Sequence, residues 1–176
     1  MPETRPATFW KVSKRQFTQD FYGEPAEKAA ALAETDFISE IYSGIMLPAR
    51  ATTGSAGYDF YLPYAVTFDN TPRVIQTGVR VKLDPGWVLL LLPRSGLGFK
   101  HGMRLRNTVG VIDSDYFNAK NEGHIMASVV SDEPFTLKAG DRFLQGIIMP
   151  YGVATNDTTL MKQRDGGFGS TGGILN

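Results

Sequence analysis

Three features of the sequence predict an all-β fold of the antiparallel barrel or jelly-roll type, preceded by a helical segment. Apolar and polar residues alternate with period two in TGVRVKL (77–83), where Val79, Val81 and Leu83 fall on one face and Arg80 and Lys82 on the other. Short apolar runs recur beyond it, in WVLLLL from 87, IMASVV at 125–130 and FLQGIIM at 143–149. Turn-forming segments, DNTP, LDPG, SDEP and KAGD, separate these runs. Strands this short with turns between them fit an antiparallel barrel or jelly roll.

Taken in chain order, residues 1–46 form an N-terminal strand and helical extension packed on the same domain. EPAEKAAALAE (24–34) has Pro25 near its start and glutamate in its first turn, a good helix opening. Phe37, Ile38 and Ile41 continue one apolar face, so a single helix is expected over 24–41. After Leu47 and Pro48 the pattern changes to period two, and residues 47–160 form the β-barrel core. TGVRVKL reads as a half-buried strand and WVLLLL as a strand buried on both faces. The Gly-rich end, GGFGSTGGILN, lies in a C-terminal arm, 161–176, whose composition alone describes a flexible tail.

Composition narrows the function. The chain has 176 residues, 42% hydrophobic and 11% aromatic, enough apolar surface for one well-filled domain. Eighteen basic residues balance eighteen acidic ones, so no overall field draws the protein to nucleic acid or an anionic membrane, and a polyphosphate would have to be held by local charge. With no cysteine there is neither a disulfide nor a thiolate metal site or nucleophile, which suits the cytosol. MPETRPATFWKVSKRQF lacks the apolar stretch of a signal peptide, and WVLLLLP is too short to span a bilayer. A soluble cytoplasmic protein is therefore expected. No P-loop motif occurs, and two histidines, His101 and His124, are too few for a zinc site and read as ordinary loop or strand-end residues. Any catalysis falls to carboxylates, arginines and hydroxyls.

In GVIDSDY (110–116), Asp113 and Asp115 are spaced i and i+2, which on an extended strand puts both carboxylates on one side and Ser114 on the other. A Ser-Asp turn is the plainer reading of that stretch alone. Five segments shift the balance: GSAGYD (54–59), PRSGLGFKHGM (93–103), NTVGVIDSDY (107–116), AGDRFLQ (139–145) and GGFGSTG (166–172). In this order they resemble the five motifs of the trimeric dUTPase family, the deoxyuridine triphosphate nucleotidohydrolases.

That resemblance implies a jelly-roll β-barrel forming a homotrimer, with three active sites at subunit interfaces and the C-terminal arm closing over a neighbouring site. The implied reaction is hydrolysis of dUTP to dUMP and pyrophosphate by in-line attack of water at the α-phosphorus, with Mg²⁺ as cofactor. By family position Asp113 orients the water and binds the sugar 3′-hydroxyl, while Asp115 shapes the hairpin. Tyr116 packs against the deoxyribose and leaves no room for a 2′-hydroxyl. Asn107 reads the uracil edge, with backbone groups near Val111, Ile112 and Met126 completing base recognition. Arg94, Ser95 and Gly96 form the phosphate loop, Gln145 adds a phosphate contact and Arg142 a supporting charge. Phe168 stacks on the uracil, Ser170 and Thr171 lie near the γ-phosphate with Arg164, and Asp59 acts on the magnesium through water.

Three features depart from the family pattern. FNAKNEGH separates Tyr116 from Ile125, lengthening the hairpin that holds uracil and excludes the thymine methyl. Arg164 lies four residues before Phe168, where five is usual. The N-terminal segment has no counterpart in the shortest members, and two roles stay open for it: decorating the trimer surface or binding another protein. Two alternatives share the fold. A dCTP deaminase needs a glutamate on the strand after the hairpin, and IMASVVS has none. A phage-type regulatory protein would keep the fold with weak or no turnover. A structural jelly roll has no need of these polar residues together.

Overall fold

The computed structural model describes residues 4–158. Among them, twelve strands dominate: β1 (Ala7–Lys11), β2 (Ala49–Arg50), β3 (Gly57–Tyr61), β4 (Val66–Phe68), β5 (Arg73–Gln76), β6 (Val79–Leu83), β7 (Trp87–Pro93), β8 (Arg104–Leu105), β9 (Gly110–Ile112), β10 (Met126–Val130), β11 (Phe135–Leu137) and β12 (Arg142–Pro150). The turns DNTP, LDPG, SDEP and KAGD sit where expected, between β4 and β5, β6 and β7, β10 and β11, and before β12.

Among the described residues the strand pairings are antiparallel. The main sheet has the order β2-β3-β12-β7-β9; β5-β10-β8 form a second sheet, and β1-β6 and β4-β11 are separate pairs. The expected barrel is thus not closed by hydrogen bonds. Its ladders face one another across a shared core that draws Phe60, Phe68, Ile75, Val81, Leu89, Val129, Phe143 and Leu144 from all of them. On β6 the predicted alternation holds: Val79, Val81 and Leu83 are buried, Arg80 half-buried and Lys82 exposed. β7 departs from its expected burial on both faces. Leu89 and Leu91 are sealed in the core, but Leu90 and Leu92 on the other face are only half-buried.

Where one helix was expected, the described residues hold four beside the mostly β architecture: α1 (Lys14–Tyr22), α2 (Ala26–Ala33), α3 (Asp36–Gly44) and α4 (Ser95–His101). The helix expected over 24–41 is two helices. Thr35 breaks it: its side chain accepts from the Ile38 N–H and caps α3, while its hydroxyl bonds back to the Leu32 carbonyl at the end of α2. α1 lies outside the helix expected from sequence: KRQFTQDFY mixes the good formers Lys14, Arg15, Gln16 and Gln19 with Phe, Thr, Asp and Tyr residues of weaker propensity. Its legible signals were the end residues, the Ser13 cap accepting from the Gln16 N–H and Gly23 at φ +67°, together with Phe17 and Phe21 one turn apart. Phe17 enters the core completely and packs near Phe21, Tyr42 and His124.

Tyr64 ties this helical layer to the sheets. Phe21 meets its ring edge-on at 5.2 Å, and its hydroxyl donates to Gln76 Oε1 at 2.6 Å. Burial pushes the Tyr64 hydroxyl up to about 12, against a smaller opposing effect of hydrogen bonding at Gln76. A raised value favours the neutral phenol in the folded state. The associated stability is fully present below the ordinary tyrosine value near 10 and is lost as pH rises through 12. Denaturant unfolding from pH 9 to 12 should therefore show a loss of about 2–3 kcal/mol that Tyr64→Phe removes; an equal loss in the variant would refute the assignment.

Candidate active site

Three strands of the main sheet bring the first, second and fourth motifs together. Gln145 on β12 pairs with Asp59 on β3 and with Leu92 on β7, so their side chains share the outer face of the sheet. The register slips between Arg142 and Leu144, a bulge that lets Phe143 and Leu144 both enter the core. The slip also returns Arg142 to the outer face, where its Nη1 lies 3.2 Å from Asp59 Oδ2. Asp59 Oδ1 lies 2.9 Å from Arg94 Nε. One carboxylate, only 7% exposed, thus holds two guanidinium groups and leaves the trio with net positive charge.

Arg94 uses Nε for this pair, and a guanidinium carries further N–H donors on its terminal nitrogens that suit an oxyanion. It is also the N-cap of α4, so Ser95 and Gly96 open that helix, where first-turn N–H groups lack intrahelical partners. Gln145 Nε2 bonds the Pro93 carbonyl at 3.2 Å, fixing the loop from below. Gly57 makes room for Gln145: a Cβ there would come within 3.0 Å of Gln145 Oε1. Arg94, Ser95, Gly96, Gln145, Arg142 and Asp59 are therefore gathered in one place. Asp59's role as the anchor of both arginines was not read from sequence.

The third motif lies elsewhere. Asn107 is exposed in the turn before β9, Val111 is exposed on β9, Ile112 is half-buried, and Met126 opens β10. Ile112 faces Leu89 near the start of β7, whereas Arg94 follows its end, so Asp113 and Arg94 stand on the order of 15–20 Å apart along the strand. The expectation that Asp113 and Asp115 share one strand face is corrected: β9 stops at Ile112, and Ser114–Asn118 form a 3₁₀ helix with Asp113 at its N-cap position. Strand alternation no longer applies there. Tyr116 is buried, donating to the His124 carbonyl at 2.8 Å and accepting from Asn121 Nδ2 at 2.9 Å.

The stretch FNAKNEGH folds into a compact turn rather than a longer hairpin. Arg80 Nη2 donates to the Phe117 carbonyl at 2.5 Å, with its guanidinium stacked 3.6 Å from the Phe117 ring centre. Burial lowers the Arg80 guanidinium from its ordinary value, opposed by Glu122. At Gly123, φ +69°, a Cβ would come within 2.6 Å of the Tyr116 carbonyl oxygen. His124, expected at a strand end without special function, is fully buried and bonded on both ring nitrogens. Arg164, Phe168, Ser170 and Thr171 lie outside the described residues.

The outer face of the main sheet is apolar beside the Asp59 trio. Val111, Leu90 and Ile147 form a row across β9, β7 and β12, and Met149 extends it; Val111 is 55% and Met149 41% exposed.

Residues 44–172 match the family model for dUTPase. The chain belongs to the dUTPase family. It is 42% identical over 135 residues to the deoxyuridine 5′-triphosphate nucleotidohydrolase of Lactococcus lactis strain IL1403, covering 74% of this chain and 90% of the relative. To the enzyme of the same description from Shewanella oneidensis it is 41% identical over 144 residues, covering 76% and 91%. The crystal structure of a dUTPase from Streptococcus mutans superposes with a TM-score of 0.58 at 37% identity, over 65% of this chain and 91% of that one. A dUTPase from phage phi11 of S. aureus, whose structure concerns coordination of a structural Mg(II) ion, shares the fold at 19% identity and TM-score 0.57, over 68% of this chain and 93% of that one. The family match includes the N-terminal edge of the β core and all five motif segments.

If Asp59 anchors the phosphate loop, Asp59→Ala leaves two guanidinium groups unpaired. Denaturant unfolding should show a loss of about 1–3 kcal/mol, and triphosphate affinity should fall about tenfold. Unaltered affinity would remove Asp59 from the loop's support.

Proposed function

We propose that this chain hydrolyses dUTP to dUMP and pyrophosphate, withholding uracil from DNA and supplying dUMP. The observation that carries this reading is similarity to named dUTP nucleotidohydrolases at about 40% identity over nine-tenths of their length. The local chemistry agrees. Arg94 supplies charge-assisted bonds, Ser95 a hydroxyl and Gly96 a backbone N–H to the phosphates, with Gln145 beside them. Asp113 holds and deprotonates the water in line with the leaving pyrophosphate. Tyr116 bounds the deoxyribose and Asn107 reads uracil with the backbone near Val111, Ile112 and Met126. Phe168, Ser170, Thr171 and Arg164 belong to the closing arm in this reading. β10 bears no glutamate, so nothing favours the deaminase alternative.

Magnesium fits as an ion carried by the triphosphate. The described residues hold no group of three or more His, Cys, Asp or Glu placed to bind a metal, and Asp59 already faces two guanidinium groups. When bound, the ion would neutralise phosphate charge, with Asp59 reaching it through water.

We also propose that the site is shared in a homotrimer. Asp113 and the Arg94 loop act on one α-phosphorus, yet within one chain they stand near opposite ends of β7. A symmetric neighbour can supply the missing half, and the exposed row of Val111, Leu90, Ile147 and Met149 gives it an apolar face to cover.

Pyrophosphate release with Mg²⁺ should be rapid from dUTP and slow from dTTP, dCTP and UTP, and Asp113→Asn should reduce it about 100-fold or more. No release from any nucleotide by the folded protein would sink the hydrolase reading. Asp113→Asn and Arg94→Ala chains, each inactive alone, should recover about a quarter of native activity when refolded together in equal amounts, the chance that both contributors to a site are intact. No recovery would place both residues in one chain's site.

A further inference from the structure

We propose that the N-terminal extension positions Tyr116 through Asp20 and His124, and so sets how strictly the site rejects a 2′-hydroxyl; the proposal rests on the dUTP-hydrolase reading above. Asp20 on α1 places Oδ2 2.5 Å from His124 Nδ1, across more than a hundred residues of sequence. The Gly78 N–H donates to His124 Nε2 at 2.8 Å, so Nε2 is the acceptor and Nδ1 carries the proton toward Asp20. The ring is held from both sides in a fully buried site. The same residue's carbonyl receives the Tyr116 hydroxyl, and Asn121 Nδ2 bonds that hydroxyl in turn.

A second link runs parallel. Glu122, at φ +57°, accepts from both the N–H and the hydroxyl of Ser13, each at 2.7 Å. Ser13 is also the N-cap of α1, so the helix start is tied to the turn that encloses Tyr116. Arg80 also holds the turn, through Phe117. The extension thus grips the turn at Glu122 and His124, and Arg80 Nη1 meets the same Glu122 carboxylate at 3.9 Å. Asp20 touches no substrate in this reading. It is a positioning residue, acting on the sugar pocket through the histidine.

The test compares native protein with Asp20→Ala and Asp20→Asn, the latter keeping an oxygen acceptor for the Nδ1–H. Two readouts are taken: amide hydrogen exchange of residues 114–125 without nucleotide, and kcat and KM for dUTP and UTP. Asp20→Ala should speed local exchange about tenfold, raise KM for dUTP about five- to tenfold with kcat within about twofold, and raise the UTP to dUTP ratio of kcat/KM; Asp20→Asn should restore most of this. Unchanged exchange overturns the clamp. Faster exchange with unchanged KM and sugar discrimination reduces Asp20 to a structural contact and equally overturns the proposal. Should Asp20→Ala not fold, Glu122→Gln with Ser13→Ala cuts the parallel link and is judged by the same readouts. A native protein that releases no pyrophosphate from dUTP would instead defeat the hydrolase reading, and with it sugar selection, while exchange still decides whether the clamp exists.

Discussion

The bulge in β12 is the constraint on which both sides of the main sheet depend. A regular strand through Arg142–Gln145 would alternate, sending either Phe143 or Leu144 outward and Arg142 to the same side as Leu144. The slip gives the core two adjacent large side chains, both fully buried, and returns Arg142 to Asp59. β12 lies between β3 and β7, so its register also sets which residues meet Gln145: Asp59 on one side, Leu92 beside the Arg94 loop on the other. The phosphate-loop charge cluster is therefore a consequence of how the centre of the sheet is filled.

On the proposed reading, that cluster is how a chain with no net charge would bind a polyanion. Long-range steering is absent, since acids and bases balance. Local binding needs oriented positive charge, and Asp59 provides the orientation at the cost of one negative charge against two positive ones. Lacking the carboxylate, the arginines would repel one another and lose rotamer order. Lacking the second arginine, the carboxylate would cancel the charge of the first.

Much of this was legible in the sequence. Period two marked β6, the apolar runs marked β7, β10 and β12, and the turn residues marked their ends, because these signals are local. Arg94, Ser95, Gln145 and Asp59 were picked out by the resemblance of their segments to the dUTPase motifs, and the fold brings them to one place. What escaped depended on distant partners. Asp20 and His124 are ordinary residues in sequence, and only the tertiary fold brings them together. The break at Thr35 was hidden because threonine inside an apolar periodic stretch reads as a tolerated interruption rather than a cap. Asp113 and Asp115 misled because i, i+2 geometry holds only while the strand continues, and β9 ends one residue earlier.

The insertion after Tyr116 and the N-terminal extension make physical sense only as a pair. The insertion buries a histidine with two polar ring nitrogens and holds Glu122 in a left-handed conformation that a non-glycine residue adopts at a cost of roughly 1 kcal/mol or more. Neither cost is offset within the turn itself. Gly78 on the barrel satisfies one nitrogen of His124, and α1 supplies both other partners, Asp20 to the ring and Ser13 to the Glu122 carboxylate. The carboxylate, in return, sits at the start of α1, where the helix dipole favours negative charge. A lengthened turn without the extension would bury a donor with no acceptor, and an extension without the turn would leave Asp20 and Ser13 without these partners. The two additions to the shorter family pattern therefore stabilise one another, and Tyr116 lies at the point where they meet.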